Sequence, residues 1–179
     1  MTRYCLDACS IINLFCGWGG IQELHFFGTY WSTTTTALGE FKEVRIQQTD
    51  GTIVRVPISH ELLLEQYPLT VHTEFHPQEV VTATNLGALI DDGEAECLAI
   101  AKHRDLIFVS DDGPAILAAE GLGVRTASSL DLIIAWSELD ASRPAYLTKI
   151  VERIEVLARY VPPRSHPRKE WWDTLRRRR

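Results

Sequence analysis

Short apolar runs alternate along this chain with segments whose apolar residues recur at helical spacing, and the alternation predicts strands and helices in turn. Arg3 to Leu6 reads as a buried strand. Ser10 to Cys16, with Ile11, Ile12, Leu14 and Phe15, reads as the helix after it, broken by the Gly-rich stretch from Cys16 to Gly20. Tyr30 to Thr34 is β-prone, and Thr35 or Thr36 is placed to cap a helix bearing Leu38, Glu40, Phe41 and Val44. From Arg45 to Val56 the pattern alternates around Asp50-Gly51, a hairpin signal that reads as an insertion on the main fold. Ser59 is placed to cap a helix through Glu65, Thr70 to Phe75 reads as extended, and Pro77 to Ile90 reads as helix.

The second half is more regular. Gly93 to His103 predicts a helix with Leu98 and Ala101 on the face of Glu94, and Leu106 to Ser110 a buried strand. Pro114 to Glu120 is helical, Val124 to Ala127 a strand and Leu130 to Trp136 a helix. Strands alternating with helices imply a parallel sheet covered on both faces, so the expected class is α/β, a three-layer α/β/α sandwich. Ala145 to Tyr160 forms an amphipathic helix through Ile150, Ile154, Leu157 and Val161, ended by Pro162-Pro163. The expected division is a main domain over 1–143, with the hairpin at about 44–57, and a C-terminal helix and basic tail over 144–179.

Composition narrows this picture. The 179 residues, 45% hydrophobic and 23% charged, suit one globular domain. No apolar stretch approaches the roughly 18 residues that span a bilayer, and Asp7 interrupts any leader-like start. A cytoplasmic protein with no membrane association is expected. Cys5, Cys9, Cys16 and Cys97 include no Cys-x-x-Cys pair and the six histidines no His-x-x-x-His, so the thiols read as small core residues rather than zinc ligands. The net charge is −6, but residues 164–179 carry +5 and the rest −11, a body and tail of opposite sign. Such a tail is either a solvated terminus or an arm for a polyanion.

Acidic residues sit where apolar runs end and helices begin: Asp7 after Tyr4-Cys5-Leu6, Glu94 in Asp91-Asp92-Gly93-Glu94-Ala95-Glu96, and Asp111-Asp112 after the strand from Leu106. Glu40 falls inside a helix, where the dipole gives no reason for it. A parallel sheet delivers its strand ends to one edge, where such folds place ligands. Carboxylates gathered there without Lys or Arg need a divalent cation, and Mg²⁺ or Mn²⁺ with oxygen ligands suits phosphodiester hydrolysis. Ser10 is placed to cap the next turn or hold a water. Glu94 and Glu96 lie roughly 200° apart around a helix, so only one faces the site, and Gly93, which bares the flank of Glu94, favours Glu94. One of Asp111 and Asp112 binds metal and the other caps the next helix.

The segments Leu6-Asp7-Ala8-Cys9-Ser10-Ile11-Ile12-Asn13-Leu14, Leu38-Gly39-Glu40-Phe41, Gly93-Glu94-Ala95-Glu96-Cys97-Leu98-Ala99-Ile100-Ala101 and Val109-Ser110-Asp111-Asp112 resemble the PIN-domain nucleases in order and rough spacing. The resemblance covers most of residues 4–135. It implies a metal-dependent endoribonuclease on a PIN-like sandwich, often the toxin of a type II toxin–antitoxin pair. By position Asp7 matches the family's first acid, Glu40 the second, Glu94 the third, and Asp111 or Asp112 the fourth, with Ser110 the small hydroxyl residue before it. Asp7, Glu40, Glu94, Asp111 and Asp112 are thus the expected catalytic set, all but Glu40 as metal ligands. Partners implied are RNA and a cognate antitoxin, with a homodimer through the 145–160 helix as the alternative to its packing on its own sheet.

For holding RNA, Arg45, Arg55, Trp171, Trp172 and the terminal arginines are candidates, although a Trp171-Trp172 anchor for the tail competes with base stacking. Two other readings remain. A phosphoacceptor domain wants an acid pair at the first strand and a late lysine, which Asp7 and Ala127-Ser128 do not supply, and a phosphatase of the haloacid-dehalogenase type wants Asp-x-Asp there. A non-catalytic module would use the acids as helix caps alone.

Overall fold

The computed structural model describes residues 2–177 except 28 and 68. The elements run β1 (Arg3–Leu6), α1 (Ala8–Trp18), β2 (Tyr30–Thr34), α2 (Thr35–Glu40), β3 (Glu43–Gln47), β4 (Ile53–Pro57), α3 (His60–Gln66) and β5 (Leu69–His72). They continue with α4 (Pro77–Leu86), α5 (Asp92–His103), β6 (Ile107–Val109), α6 (Gly113–Gly121), β7 (Thr126–Ala127), α7 (Ser129–Glu138), α8 (Leu147–Arg153) and α9 (Lys169–Arg176). Five strands form a parallel sheet in the order β5-β2-β1-β6-β7, and β3 and β4 form the separate antiparallel hairpin expected around Asp50-Gly51.

Side-chain alternation in the central strands builds a core on each sheet face. Leu6 and Val109 point into a cluster with α1, α7, α8 and α9, while Cys5 and Phe108 point into one with α5 and α6. These strands are too short and too buried to leave a wet face. The second cluster is rich in Ala and Cys, including Ala95, Cys97, Ala101, Ala115 and Ala119, which lets α5 and α6 approach the sheet closely.

Several local expectations shift. Thr34, not Thr35 or Thr36, caps α2, its hydroxyl accepting from the Ala37 amide at 3.2 Å. The helix stops at Glu40, so Glu40 lies at its end and Val44 belongs to β3. Helix α1 runs on through Gly17, because α8 presses against it: a Cβ at Gly17 would lie 3.1 Å from Ile150 Cγ2. The amphipathic 145–160 helix is three pieces, a 3₁₀ turn (Arg143–Tyr146), α8, and a π-helical turn (Ile154–Ala158) ended by Arg159 at φ 58°. Ile150, Ile154 and Leu157 are buried as their spacing implies, but this widened turn and the left-handed Arg159 turn Val161 outward, 42% exposed. Three of the four thiols are core residues, whereas Cys9 is exposed.

The basic tail is folded onto the body. Trp172 of α9 is fully buried and its ring meets Tyr160 edge-on at 6.2 Å, so Trp172 is a core anchor and cannot stack on RNA bases. Arg168 pairs with Asp131 at 2.6 Å, Arg176 with Glu155 at 2.6 Å and Lys169 with Asp173 at 2.8 Å, which spends much of the tail's charge within the fold. Arg178 and Arg179 lie outside the described residues. Trp172→Ala is expected to destabilise the protein by about 3–5 kcal/mol, the usual result of emptying a buried aromatic site. Urea titration reads this directly, and a loss under 1 kcal/mol would mean that α9 is not part of the core. Among the described residues no helix is long and apolar enough to cross a membrane.

Candidate active site at the sheet switch point

The chain leaves β1 for β2 and β5 on one side, then returns to β6 on the other. The C-terminal ends of β1 and β6 therefore flank the point where strand order reverses, the place where open α/β sheets form a crevice. Leu6 and Val109 are in register there, and the Asp7 amide donates to the Val109 carbonyl at 3.1 Å. Asp7 and Ser110-Asp111 thereby leave adjacent strands side by side. This is a fact of topology, since 103 residues separate Asp7 from Ser110.

Asp7 is fully buried. Its Oδ1 accepts the Ser10 amide at 2.7 Å, so Asp7 caps α1, while among the described residues Oδ2 and the Ser10 hydroxyl are buried without a well-aligned hydrogen bond. Burial pushes the Asp7 carboxyl from 3.8 up to about 7, with the Asp111 charge adding to the rise, although the Ser110 hydroxyl and Ser10 amide pull it back. Asp111 is also buried and raised by desolvation, but both oxygens are engaged: Asn13 Nδ2 donates to Oδ2 at 2.8 Å and the Ser129 amide to Oδ1 at 3.0 Å. Asp112 caps α6, accepting the Ala115 amide at 3.0 Å, and its own amide donates to the Ser110 hydroxyl at 3.1 Å. The Asp-Asp pair thus divides as its adjacency implies, Asp111 turned inward and Asp112 at the helix start.

Glu94, in the first turn of α5, is half-buried and pushed up to about 7 by desolvation and then by the charges of Asp112 and Asp7. Glu40 is raised by desolvation and by Asp91 and Asp92, with the Gly93 amide drawing it back. Gly93 serves Glu40 rather than Glu94: a Cβ there would lie 2.5 Å from Glu40 Oε1 and 3.1 Å from the Ala37 Cα. The exposed Cys9 gives the clearest view of the cluster, because its thiol is pushed up to about 12 by desolvation and then by Asp7, Glu94, Asp111 and Glu40 together. Four of the five expected acids therefore bear on one sulfur, and the fifth, Asp112, bears on Glu94. None of the five forms an ion pair among the described residues.

Gly93→Ala tests the placement of Glu40. Fitting the methyl group displaces the Glu40 carboxyl and presses on α2, at about 1–3 kcal/mol for overpacking. The expected result is a lower Tm, and a Tm equal to that of the parent protein would mean that Glu40 does not fill the space beside Gly93.

Sequence reasoning missed the C-terminal wall of this site. Tyr160, positioned by left-handed Arg159 and by Trp172 behind it, brings a buried, unpartnered hydroxyl beside Asp111, Cys9 and Asp7, and burial with those charges raises its pKa. His166 lies near Asp111 and Asp131. A Tyr at the end of an amphipathic segment and a His between prolines carry no local signal of such a role.

The residues expected to hold RNA disperse. Arg55 is paired with Glu43 at 2.7 Å on the exposed hairpin, and Trp171 packs partly buried against the core. Arg45 donates to the Leu157 carbonyl at 3.2 Å and lines a cleft with Lys149 and Arg153. The last two also line a cleft of about 400 Å³ with Arg143, Trp18, Phe26 and Trp136, where Arg143 lies 4.7 Å over the Phe26 ring. Cations and aromatic faces are thus concentrated at the far end of α1 from Asp7.

A hard cation suits the free oxygens of Asp7 and Glu94. Asp7 Oδ2 is buried and orphaned, an arrangement that otherwise carries the full cost of an unsatisfied polar atom. Among the described residues no three His, Cys, Asp or Glu side chains converge closely enough to hold one ion jointly. An ion there would have at most two of these carboxylates as ligands, its other positions falling to water. No family model, curated protein or solved structure matches the chain.

Proposed function

We propose that this protein is a PIN-like endoribonuclease that hydrolyses RNA phosphodiester bonds with Mg²⁺ or Mn²⁺. The observation that carries the reading is that Asp7 and Asp111 leave the neighbouring strand ends of β1 and β6 at the switch point of a parallel sheet, both buried and neither in an ion pair among the described residues, with Glu94 near enough to Asp7 for its charge to act on it. Asp7 and Glu94 would hold the cation, Asp111 is kept rigid by Asn13 and Ser129, and Ser110 orders the turn into α6. A divalent ion bound there would neutralise charge on the phosphodiester and activate water. A bound divalent ion would draw the raised Asp7 and Glu94 carboxyls back to their ionised form, so cation binding would release protons. Arg143, Lys149 and Arg153 would hold the polyanion that the acidic body otherwise repels.

The same reading makes the protein a cytoplasmic toxin whose cognate antitoxin covers the acidic crevice, in keeping with four free cysteines. A second reading, a non-catalytic module, draws on the caps that Asp7 and Asp112 do make. It leaves Asp7 Oδ2, Glu40 and Glu94 without a purpose. Cleavage of fluorogenic single-stranded RNA in Mn²⁺ separates the two: loss of turnover in EDTA and in Glu94→Gln supports the nuclease, and turnover indifferent to both refutes it. Deleting residues 164–179 is a poor test of RNA binding, because it removes Trp172 from the core.

A further inference from the structure

We propose that the cleft between α6 and the 163–167 segment, beside Asp111, is a subsite for one nucleobase of the RNA strand. This rests on the reading of RNA as the ligand, but not on hydrolysis. The cleft holds about 450 Å³, within the range of small-ligand pockets, and Ser110 and Asp111 line it, so it is continuous with the acid cluster. Its walls are apolar on opposing sides, with Ile116 and Leu117 from α6 against Pro163 and Pro167, the arrangement that receives a flat ring.

Charge decides which part of a nucleotide enters. Asp111, Glu120 and Asp131 all line the cleft, no Lys or Arg lines it among the described residues, and the neighbouring Arg168 is spent on Asp131 at 2.6 Å. A phosphate would be repelled, whereas a neutral heterocycle would not. The lining also supplies a directed donor. His166 Nδ1 accepts the Arg168 amide at 3.0 Å, so in the neutral ring, which burial favours, the proton sits on Nε2. That N–H has no other partner among the described residues and is available to a carbonyl or ring nitrogen on a base edge.

The test uses the full chain in EDTA and a labelled ten-nucleotide single strand, followed by fluorescence anisotropy, with each nucleotide replaced in turn by an abasic one. One abasic position should weaken binding about 5- to 100-fold, the measure of one stacked base. Gly113→Leu fills the cleft, and a Cβ at Gly113 meets nothing within 4 Å, so the fold tolerates it. This variant should weaken the intact strand by a similar factor and lose nothing further with the abasic strand. His166→Ala should level the preference among the four bases at that position. Binding blind to every abasic position, or losses from Gly113→Leu and the abasic strand that multiply, would overturn the subsite. Base-dependent binding by a protein that cleaves nothing in Mn²⁺ would end the hydrolase reading and leave the subsite standing, whereas no RNA binding at all would end both.

Discussion

Asp7→Asn is expected to abolish RNA cleavage and, at the same time, to make the metal-free protein more stable at neutral pH. The two effects have one cause. Among the described residues the fully buried Asp7 has no cation partner and no well-aligned hydrogen bond to Oδ2, so its charge is costly to the fold, and in the proposed function a bound cation offsets that cost. An amide of the same shape preserves an oxygen for the Ser10 amide, so the α1 cap survives while the charge disappears. Loss of several kcal/mol of electrostatic stabilisation in the transition state corresponds to a rate decrease on the order of 10³. A cap lost for ordinary structural reasons would instead cost about 1 kcal/mol of stability and leave turnover, once corrected for folding, unchanged. Thermal melts and RNA turnover on the same preparation distinguish these outcomes, and a variant that is both less stable and fully active would refute the assignment of Asp7.

The second large effect is a reversed pH dependence of stability in the absence of metal. The Asp7 carboxyl titrates at its ordinary 3.8 when the chain is unfolded and at about 7 in the fold, so between those values the native state binds more protons than the unfolded state. Stability from this group is fully present below about pH 4 and is lost as the pH rises through 7, a decline on the order of 4 kcal/mol at about 1.4 kcal/mol per pKa unit. Glu94, pushed up to about 7, adds a contribution of the same sign, reduced because it is only half-buried. The Tm in EDTA should therefore fall between pH 5 and pH 7.5. Mn²⁺ at pH 7.5 should restore it, by about 2.7 kcal/mol when the ion is at 100 times its Kd. Asp7→Asn should flatten the first effect and shrink the second. A Tm that climbs with pH in EDTA over this interval would contradict the burial of an unpaired Asp7.

Much of the sheet was legible from local pattern. Cys5-Leu6 and Phe108-Val109 are short, uninterrupted apolar pairs, and such runs have few ways to be buried other than as central strands. The Asp50-Gly51 hairpin and the Ser59 cap were likewise local signals, written in turn and cap chemistry. The 145–160 segment was less legible: its apolar spacing identified the buried face through Leu157, but the π-helical turn and the left-handed Arg159 depend on how the helix packs against α1. The candidate site divided similarly. Asp7, Asp111 and Asp112 stood out because strand ends and helix starts are readable, whereas Tyr160, His166, Lys149 and Arg153 acquire meaning only from what they approach.

The order of apolar and polar residues was sufficient to set the identity of the strands, the hairpin and the acids at their ends, because backbone geometry and cap chemistry act over a few positions. Folding settled the rest: that β1 and β6 are neighbours, that Gly93 makes room for Glu40, that Trp172 draws the basic tail into the core, and that Tyr160 is brought near Asp111. These are contacts between residues far apart in the chain, created by burial against partners that no local pattern names, and the raised carboxyls of Asp7 and Glu94 follow from that burial.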